Sequence, residues 1–351
     1  MKWLLAHRFA VVALVTAVPL PLLGYLLGQN WLTLIVAFGA LPLADWVVGP
    51  DRRNPTPADE ARWACHRNGS TALYAYVPVQ IGLIAWGAAV YAGGELSTTQ
   101  SLGLMISVGV VTGGQGITIA HELGHRRSAV DRLLAKLLLT TVCYGHFYIE
   151  HNRGHHARVA TPGDPATARL GESLYRFILR AVAGSLVSAW RLEAMRLRRR
   201  DEACFSLHNQ MLWFIAVPAL LALALGLALG LQAALFFGGQ AVVAFSLLEA
   251  INYVEHYGLV RGVAGGTLER VTPRHSWNSS QRLSNACLIN LQPRRSPRRT
   301  DAPVSTAAAS RRQPSTAHGI PWHGADGPAA AAVVPRHEPA RGAPAAVRRA
   351  R

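Results

Sequence analysis

Residues 102–125, LGLMISVGVVTGGQGITIAHELGH, join an uncharged apolar run to a pair of histidines. From Leu102 to Ala120 there is no ionisable side chain. The run is close to the roughly 20 residues that a helix needs to cross a bilayer. If the helix continues past the bilayer edge, His121 and His125 lie four apart on one face.

Five more apolar blocks flank this one: Phe9–Leu27, Trp31–Val48 (interrupted by Asp45), Tyr74–Gly93, Met211–Leu231 and Ala233–Tyr253, with Glu249 near the end of the last. Hydrophobic residues make up 50% of the chain and the mean hydropathy is above zero, high for a soluble protein. These blocks predict an all-α integral membrane protein with six transmembrane helices in three hairpins, the third turning near Gln232. Charge placement supports this. Under six spans, the N-terminus, residues 49–73, residues 121–210 and everything after 254 share one side. These segments hold 2, 4, 14 and 15 Lys and Arg, which is all 35 in the chain. Positive loops mark the cytoplasmic side, so the termini and large loops are expected there. Buried helices of a soluble bundle would not sort their charges in this way. MKWLLAHRFA leads into a full-length span without a small-residue cleavage site, so no cleaved signal peptide is expected. Asp45, near a span end, reads as solvated or paired; an ionisable group inside a membrane is functional by default.

The histidines recur. EHNRGHH, residues 150–156, repeats the four-residue spacing at His151 and His155, with His156 beside them. Arg132–Ile149 is mostly helix-forming, so this pair is also expected on a helix. NYVEHYGL, residues 252–259, puts His256 at the end of the sixth span. By the topology above, all three elements emerge on one face. Convergent neutral imidazoles suit Fe, Zn, Cu or Ni. His7, His66, His146 and His208 stand alone and read as surface or interfacial residues. The four cysteines, Cys65, Cys143, Cys204 and Cys287, form no C-x-x-C pair, which excludes a four-cysteine iron site or a zinc ribbon within the chain. There is no internal repeat and no Gly-rich phosphate loop.

HELGH also fits H-E-x-x-H, the zinc-protease signature, and an intramembrane zinc protease is the alternative from another class. It needs two histidines and one further ligand, which leaves most of the imidazoles unused. Six histidines suit two metals. Two irons in an imidazole-rich shell point to oxygen activation, because attack on an unactivated C–H bond calls for a redox metal. Glu122, Glu150 and Glu255 sit beside the histidines, where a carboxylate can orient an imidazole through its other nitrogen.

At these residues the chain resembles the membrane-bound alkane 1-monooxygenases (alkane omega-hydroxylases) of the fatty-acid desaturase-like histidine-box superfamily. The resemblance covers about residues 30 to 292. It rests on LPLADWVVGPD at 41–51, HELGHRR at 121–127, EHNRGHHARVATPGDPATAR at 150–169, NYVEHYGL at 252–259 and HSWNSSQRLSN at 275–285. It implies six spans, two non-haem iron ions, and O2-dependent terminal hydroxylation of medium-chain n-alkanes in a bacterial cytoplasmic (inner) membrane. It implies electrons from NADH through rubredoxin reductase and a separate rubredoxin. The ligands it implies are His121, His125, His151, His155, His156 and His256. A related di-iron hydroxylase or desaturase acting on fatty acyl chains or alkyl aromatics stays open.

After Leu291-Gln292 the family pattern continues RHSDHHA, a last histidine box. This chain reads LQPRRSPRRTDAPVST instead. From Pro293 to Arg351 there is no Leu, Phe, Tyr, Met or Lys, and eleven Arg stand against three acids. The sequence therefore divides into a membrane hydroxylase domain, 1–292, and an Arg/Ala/Pro-rich tail, 293–351, whose composition predicts disorder. A basic tail can bind acidic lipid or nucleic acid, but a shifted reading frame explains it better, and no nucleic-acid partner is expected. Under one choice of synonymous codons, DAPVST (301–306) read one base later gives TRRYQ, which follows the last box in the family. HGIPWHGADG (318–327) in the same frame yields GMVLM, again family-like. His318 and His323 are at the wrong place and spacing to substitute, and Gln281 stands where relatives often carry His. A site without its last box should bind the second iron poorly and have little or no hydroxylase activity.

Overall fold

The computed structural model describes residues 14, 17–50, 70–264, 267–277 and 281–287. The tail from 293 lies outside the described residues, as does the start of the first predicted span.

Local sequence sets most helix ends. Helix α1, Pro19–Leu26, starts on a proline, whose missing N–H costs nothing at that position. Helix α2, Leu32–Val48, is apolar but shorter than a full span. It widens to π-type winding over Val36–Ala40 and stops at Gly49, whose φ of 77° suits glycine alone. Helix α3 is Ser70–Ala92. Helix α4, Thr98–Gly124, opens on a capping box in which Ser97 and Gln100 each bond the other's backbone N–H. Helix α5 is Ala129–Thr141, and α6 covers 147–158. Helix α7 is Leu174–Arg198, α8 is Gln210–Leu229 and α9 is Leu231–His256. A two-residue antiparallel pair, β1 (Val263–Ala264) with β2 (Thr267–Leu268), and a short helix α10, Arg282–Cys287, follow.

Four helices, α3, α4, α8 and α9, are long and apolar enough to cross a membrane. They match the third to sixth predicted blocks. Only 11% of the apolar window of α8 is buried, so this helix presents most of its surface outward. Two details differ from the sequence reading. The α8–α9 turn, expected near Gln232, is centred on Gly230 (φ 92°), because only glycine takes that backbone without strain. Arg132–Ile149 is not one helix. The chain breaks after Thr141, with Cys143 at φ 53°, because Val142 and Tyr144 are both drawn into the core.

Helices α4 and α9 are in close contact. A Cβ added at Gly109 would lie 2.8 Å from the Gln240 carbonyl oxygen, and one at Gly113 would lie 2.7 Å from that of Ala244. This is the small-xxx-small device by which membrane helices approach. Ascending positions on α4 meet ascending positions on α9, so the two run the same way and end on the same side. A buried polar chain ties in their neighbours. Thr112 donates to Gln240 (2.9 Å), Gln240 donates to the Thr141 carbonyl (3.0 Å), and Gln80 donates to the Thr141 hydroxyl (2.7 Å). Asp45 is buried and paired: it accepts the backbone N–H groups of Leu283 (2.6 Å) and Ser284 (2.8 Å), capping α10 from α2.

Gly113→Val should destabilise the fold by about 1–3 kcal/mol, because the new atoms meet backbone that cannot yield. Thermal unfolding in detergent measures this, and Gly238→Ala, where a Cβ meets nothing within 4 Å, should not lower the midpoint. Glu193 on α7 gives an acid signature. Burial favours its neutral form, but the Arg196 guanidinium and the Gln210 N–H groups outweigh that and hold its pKa at about 2. A carboxylate depressed in the fold stabilises fully above its unfolded value of roughly 4.3 and loses that contribution as pH falls toward 2. Glu193→Gln should therefore lower the unfolding midpoint at neutral pH and flatten its fall through that acid window.

Candidate metal centre

The end of α4 carries the first histidine pair. Its winding is π-type over Thr112–Ile117, a buried stretch with three glycines. One inserted residue rotates the downstream turns by about 100° relative to an unbroken helix, and this sets the face that HELGH presents. The second cluster, Glu150–His155, is itself π-wound. Such bulges concentrate at functional sites.

Four imidazoles converge. The ligand nitrogens of His121, His125, His151 and His156 all lie within 4.8 Å of one another. His121 Nε2 is 2.8 Å from His151 Nε2 and 3.1 Å from His125 Nε2, and His156 Nε2 is 3.4 Å from His125 Nε2. His155 extends the array: its ring stacks on His151 at 5.3 Å and faces His256 at 5.0 Å between centroids. All six histidines singled out from sequence thus form one continuous group, four of them tightly clustered.

Electrostatics favour open lone pairs at His151 and His156. Burial first, then the surrounding imidazoles, hold His151 well below the usual histidine range. His156 has an exposed outer edge, yet desolvation of its inner side and the neighbouring rings push it to about 4. His155 differs. Burial opposes its charged form, but the carboxylate of Asp164, 2.9 Å from its Nδ1, raises it above the usual value. That contact turns the His155 Nε2 toward the array. His256 is fixed in the same manner, its Nδ1 lying 3.1 Å from the carbonyl oxygen of His275.

Each of the three glutamates is next to one of these histidines in the chain, and the fold pairs two of them with arginines. Glu122 pairs with Arg126 at 3.4 Å, Glu150 with Arg158 at 2.7 Å, and the Glu255 carboxylate is 3.9 Å from His256 Nε2. Sequence reasoning did not single out Asp164 or His275 for orienting roles. Both lie in motifs quoted for the resemblance, Asp164 after the Pro-Gly that folds the chain back, but nothing in their spacing marks them as partners of His155 and His256. His146, read as a surface or interfacial histidine, is buried, with its Nε2 3.2 Å from the Ser185 hydroxyl. Burial drives its pKa down to about 4. It belongs to the turn between α5 and α6 that the sequence reading ran through as helix. His208 is exposed, as expected.

Donors of this kind fit a first-row transition metal: imidazoles with their nitrogens already gathered, and outer nitrogens held by a carboxylate and a carbonyl. Helices that present such a cluster at the end of membrane spans define a class of membrane metalloprotein. A family model described as fatty acid desaturase matches residues 97–294. Alkane 1-monooxygenase 2 of Pseudomonas aeruginosa is 42% identical over 265 residues, 75% of this chain and 70% of the relative. Alkane 1-monooxygenase of Ectopseudomonas oleovorans is 38% identical over 266 residues, 74% of this chain and 65% of the relative. The hydroxylase component of a Pseudomonas putida xylene/toluene monooxygenase is 29% identical over 281 residues, covering 77% and 71%. The chain belongs to the fatty acid desaturase family and, within it, to the alkane 1-monooxygenases. This membership, and not a protease site, accounts for the His-Glu-x-x-His of α4.

Gly154 tests the packing beneath the cluster. A Cβ there would fall on the paired Glu150 carboxylate and Arg158 guanidinium. Gly154→Ala should cost about 1–3 kcal/mol and lower the metal bound per chain, read by thermal unfolding and by metal analysis of the purified protein. Gly82→Ala, with nothing within 4 Å of the added atom, should change neither.

Proposed function

We propose that this fold serves O2-dependent terminal hydroxylation of medium-chain n-alkanes to 1-alkanols at a non-haem di-iron site. The convergence of His121, His125, His151 and His156 carries this reading. Those four would hold one iron, and His155 and His256 would contribute to a second. Bound iron would supply the oxygen chemistry that protein side chains lack.

The chain's own residues prepare the site. Asp164 and the His275 carbonyl fix the ring orientation of His155 and His256. The depressed pKa values of His151 and His156 keep their lone pairs free at neutral pH, as metal binding requires. Glu122, Glu150 and Glu255 complete the surroundings of the rings. Alkane would enter from the lipid, and electrons would arrive from NADH through rubredoxin reductase and rubredoxin. This reading includes six spans in the bacterial inner membrane, with the metal centre and both termini cytoplasmic.

Residues 1–292 form the hydroxylase domain in this reading. Residues 293–351 are out of frame and supply no ligand. Without RHSDHHA the second iron is held weakly, and this chain hydroxylates poorly. The xylene/toluene relative favours a second substrate class, alkyl aromatics.

Purified with iron, and given rubredoxin, its reductase and octane, the chain should retain iron but turn over roughly 100-fold or more slowly than an intact relative. Turnover equal to that relative would refute the impairment, and zinc alone or no bound metal would refute the iron site. A panel of alkanes and alkyl aromatics separates the two substrate classes. Sequencing the DNA around the codon for Pro293 should reveal an uninterrupted RHSDHH frame one base away.

A further inference from the structure

A pocket of about 300 Å³ lies apart from the histidine cluster, where α7, α8 and α9 meet the turn between α5 and α6. Its walls are apolar, among them Val182, Leu186, Met211, Phe214, Ile215 and Phe245. Leu186 and Ile215 are exposed, so the pocket opens beside the outward surface of α8. Tyr144 closes its inner side. The Tyr144 ring stacks on Phe147 at 6.1 Å, and Phe147 stacks on His151 at 4.7 Å. Two aromatic rings thus stand between this pocket and the clustered imidazoles.

Three polar side chains line it: Cys143, Tyr144 and His146. Burial pushes the Cys143 thiol up to about 11, so it stays protonated and is a weak donor at most. Tyr144 donates its hydroxyl proton to the buried Glu249 carboxylate at 2.7 Å. His146 is held from behind. Ser185 donates its single proton to the Val182 carbonyl at 3.1 Å, so its oxygen accepts from His146 Nε2, 3.2 Å away. These partners assign the ring proton to Nε2 and leave Nδ1 a bare acceptor. Nδ1 has no partner among the described residues and is not sealed in.

We propose that this pocket binds a primary alcohol with a single alkyl chain, whose hydroxyl donates to His146 Nδ1. The inference rests on the proposed function in one respect: 1-alkanol is the molecule that reading releases into the surrounding bilayer. It adds a site for that product apart from the metal centre. Chemistry selects among lipid-soluble occupants. A lone pair in an apolar wall calls for a donor. An alkane has none, and seated there it would cover Nδ1 and leave it unpaired. An ionised fatty acid only accepts, and it would bring an uncompensated charge against a ring that burial keeps neutral. An alcohol satisfies both the acceptor and the walls. The volume is at the small end of the roughly 300–1,000 Å³ of ligand sites, which suits one chain better than a phospholipid.

The test uses the full chain in phosphatidylcholine nanodiscs and a medium-chain 1-alkanol carrying a diazirine. After irradiation, mass spectrometry should find the label on residues 143–146 and 211–218. 1-Octanol should displace it about tenfold more effectively than octane or octanoate at equal mole fraction in the bilayer, the worth of about one hydrogen bond. His146→Phe keeps a ring and removes the acceptor, and should abolish that preference. Leu186→Trp, which fills the pocket from its exposed rim, should lower labelling about tenfold, whereas Leu179→Trp, exposed elsewhere on α7, should not. Competition on the unaltered chain decides the matter even where a variant fails to fold. Equal displacement by octane, labelling spread along the outer face of α8, or an unchanged preference in folded His146→Phe would each overturn the site and leave a groove for lipid tails only. Iron content of the same samples separates the two readings. Selective labelling without bound iron would sink the metal centre alone, and iron without selective labelling would sink the alcohol site alone.

Discussion

The close packing of α4 on α9 governs the rest of the molecule. Glycine at 109 and 113 lets the α4 backbone lie against Gln240 and Ala244. Both helices then run in one direction, and each ends in histidine at the same side. His121 and His256 need not touch for this to work. The short helix α6 is not a membrane span. It lies at that level and fills the interval with His151, His155 and His156. Two apolar helices set the height of the site, and a polar helix completes it.

Much of this was legible in the sequence because it depends on composition over long windows. Four helices long and apolar enough to span lie within a few residues of the predicted blocks, since each block is an apolar run with at most one charged residue. The six histidines were legible because imidazoles gathered in three membrane-adjacent clusters are rare except where a metal binds. Local winding was not legible. The insertions at Thr112–Ile117 and Glu150–His155 break the helical period without changing composition, so no periodicity count reveals them. The break at Cys143 was hidden for a related reason: Val142, Tyr144 and Phe147 are drawn into the core, and that tertiary pull overrides local helix preference.

The parts that orient the rings were harder still. Asp164 reaches His155 only because the segment after α6 folds back on itself, with Thr167 donating to the same Asp164 oxygen. The His275 contact to His256 uses a backbone carbonyl, and a carbonyl leaves no trace in residue identity. Sequence shows which groups bear chemistry. It does not show which of them the fold uses to aim another.

Asp45 shows how the segment after α9 is held. Trp277 donates its N–H to the Glu255 carbonyl at 2.7 Å, which fastens this segment to the end of α9. Beyond it, Leu283 and Ser284 are fastened to Asp45 at the end of α2. The His275 carbonyl that aims His256 lies on this twice-anchored stretch. Both anchors precede Pro293, where the sequence leaves the family pattern. The two contacts that aim His155 and His256, from Asp164 and from the His275 carbonyl, are both made by residues before that point. A buried carboxylate taking two backbone N–H groups is a strong tie, because leaving those groups and that charge unpaired would cost several kcal/mol.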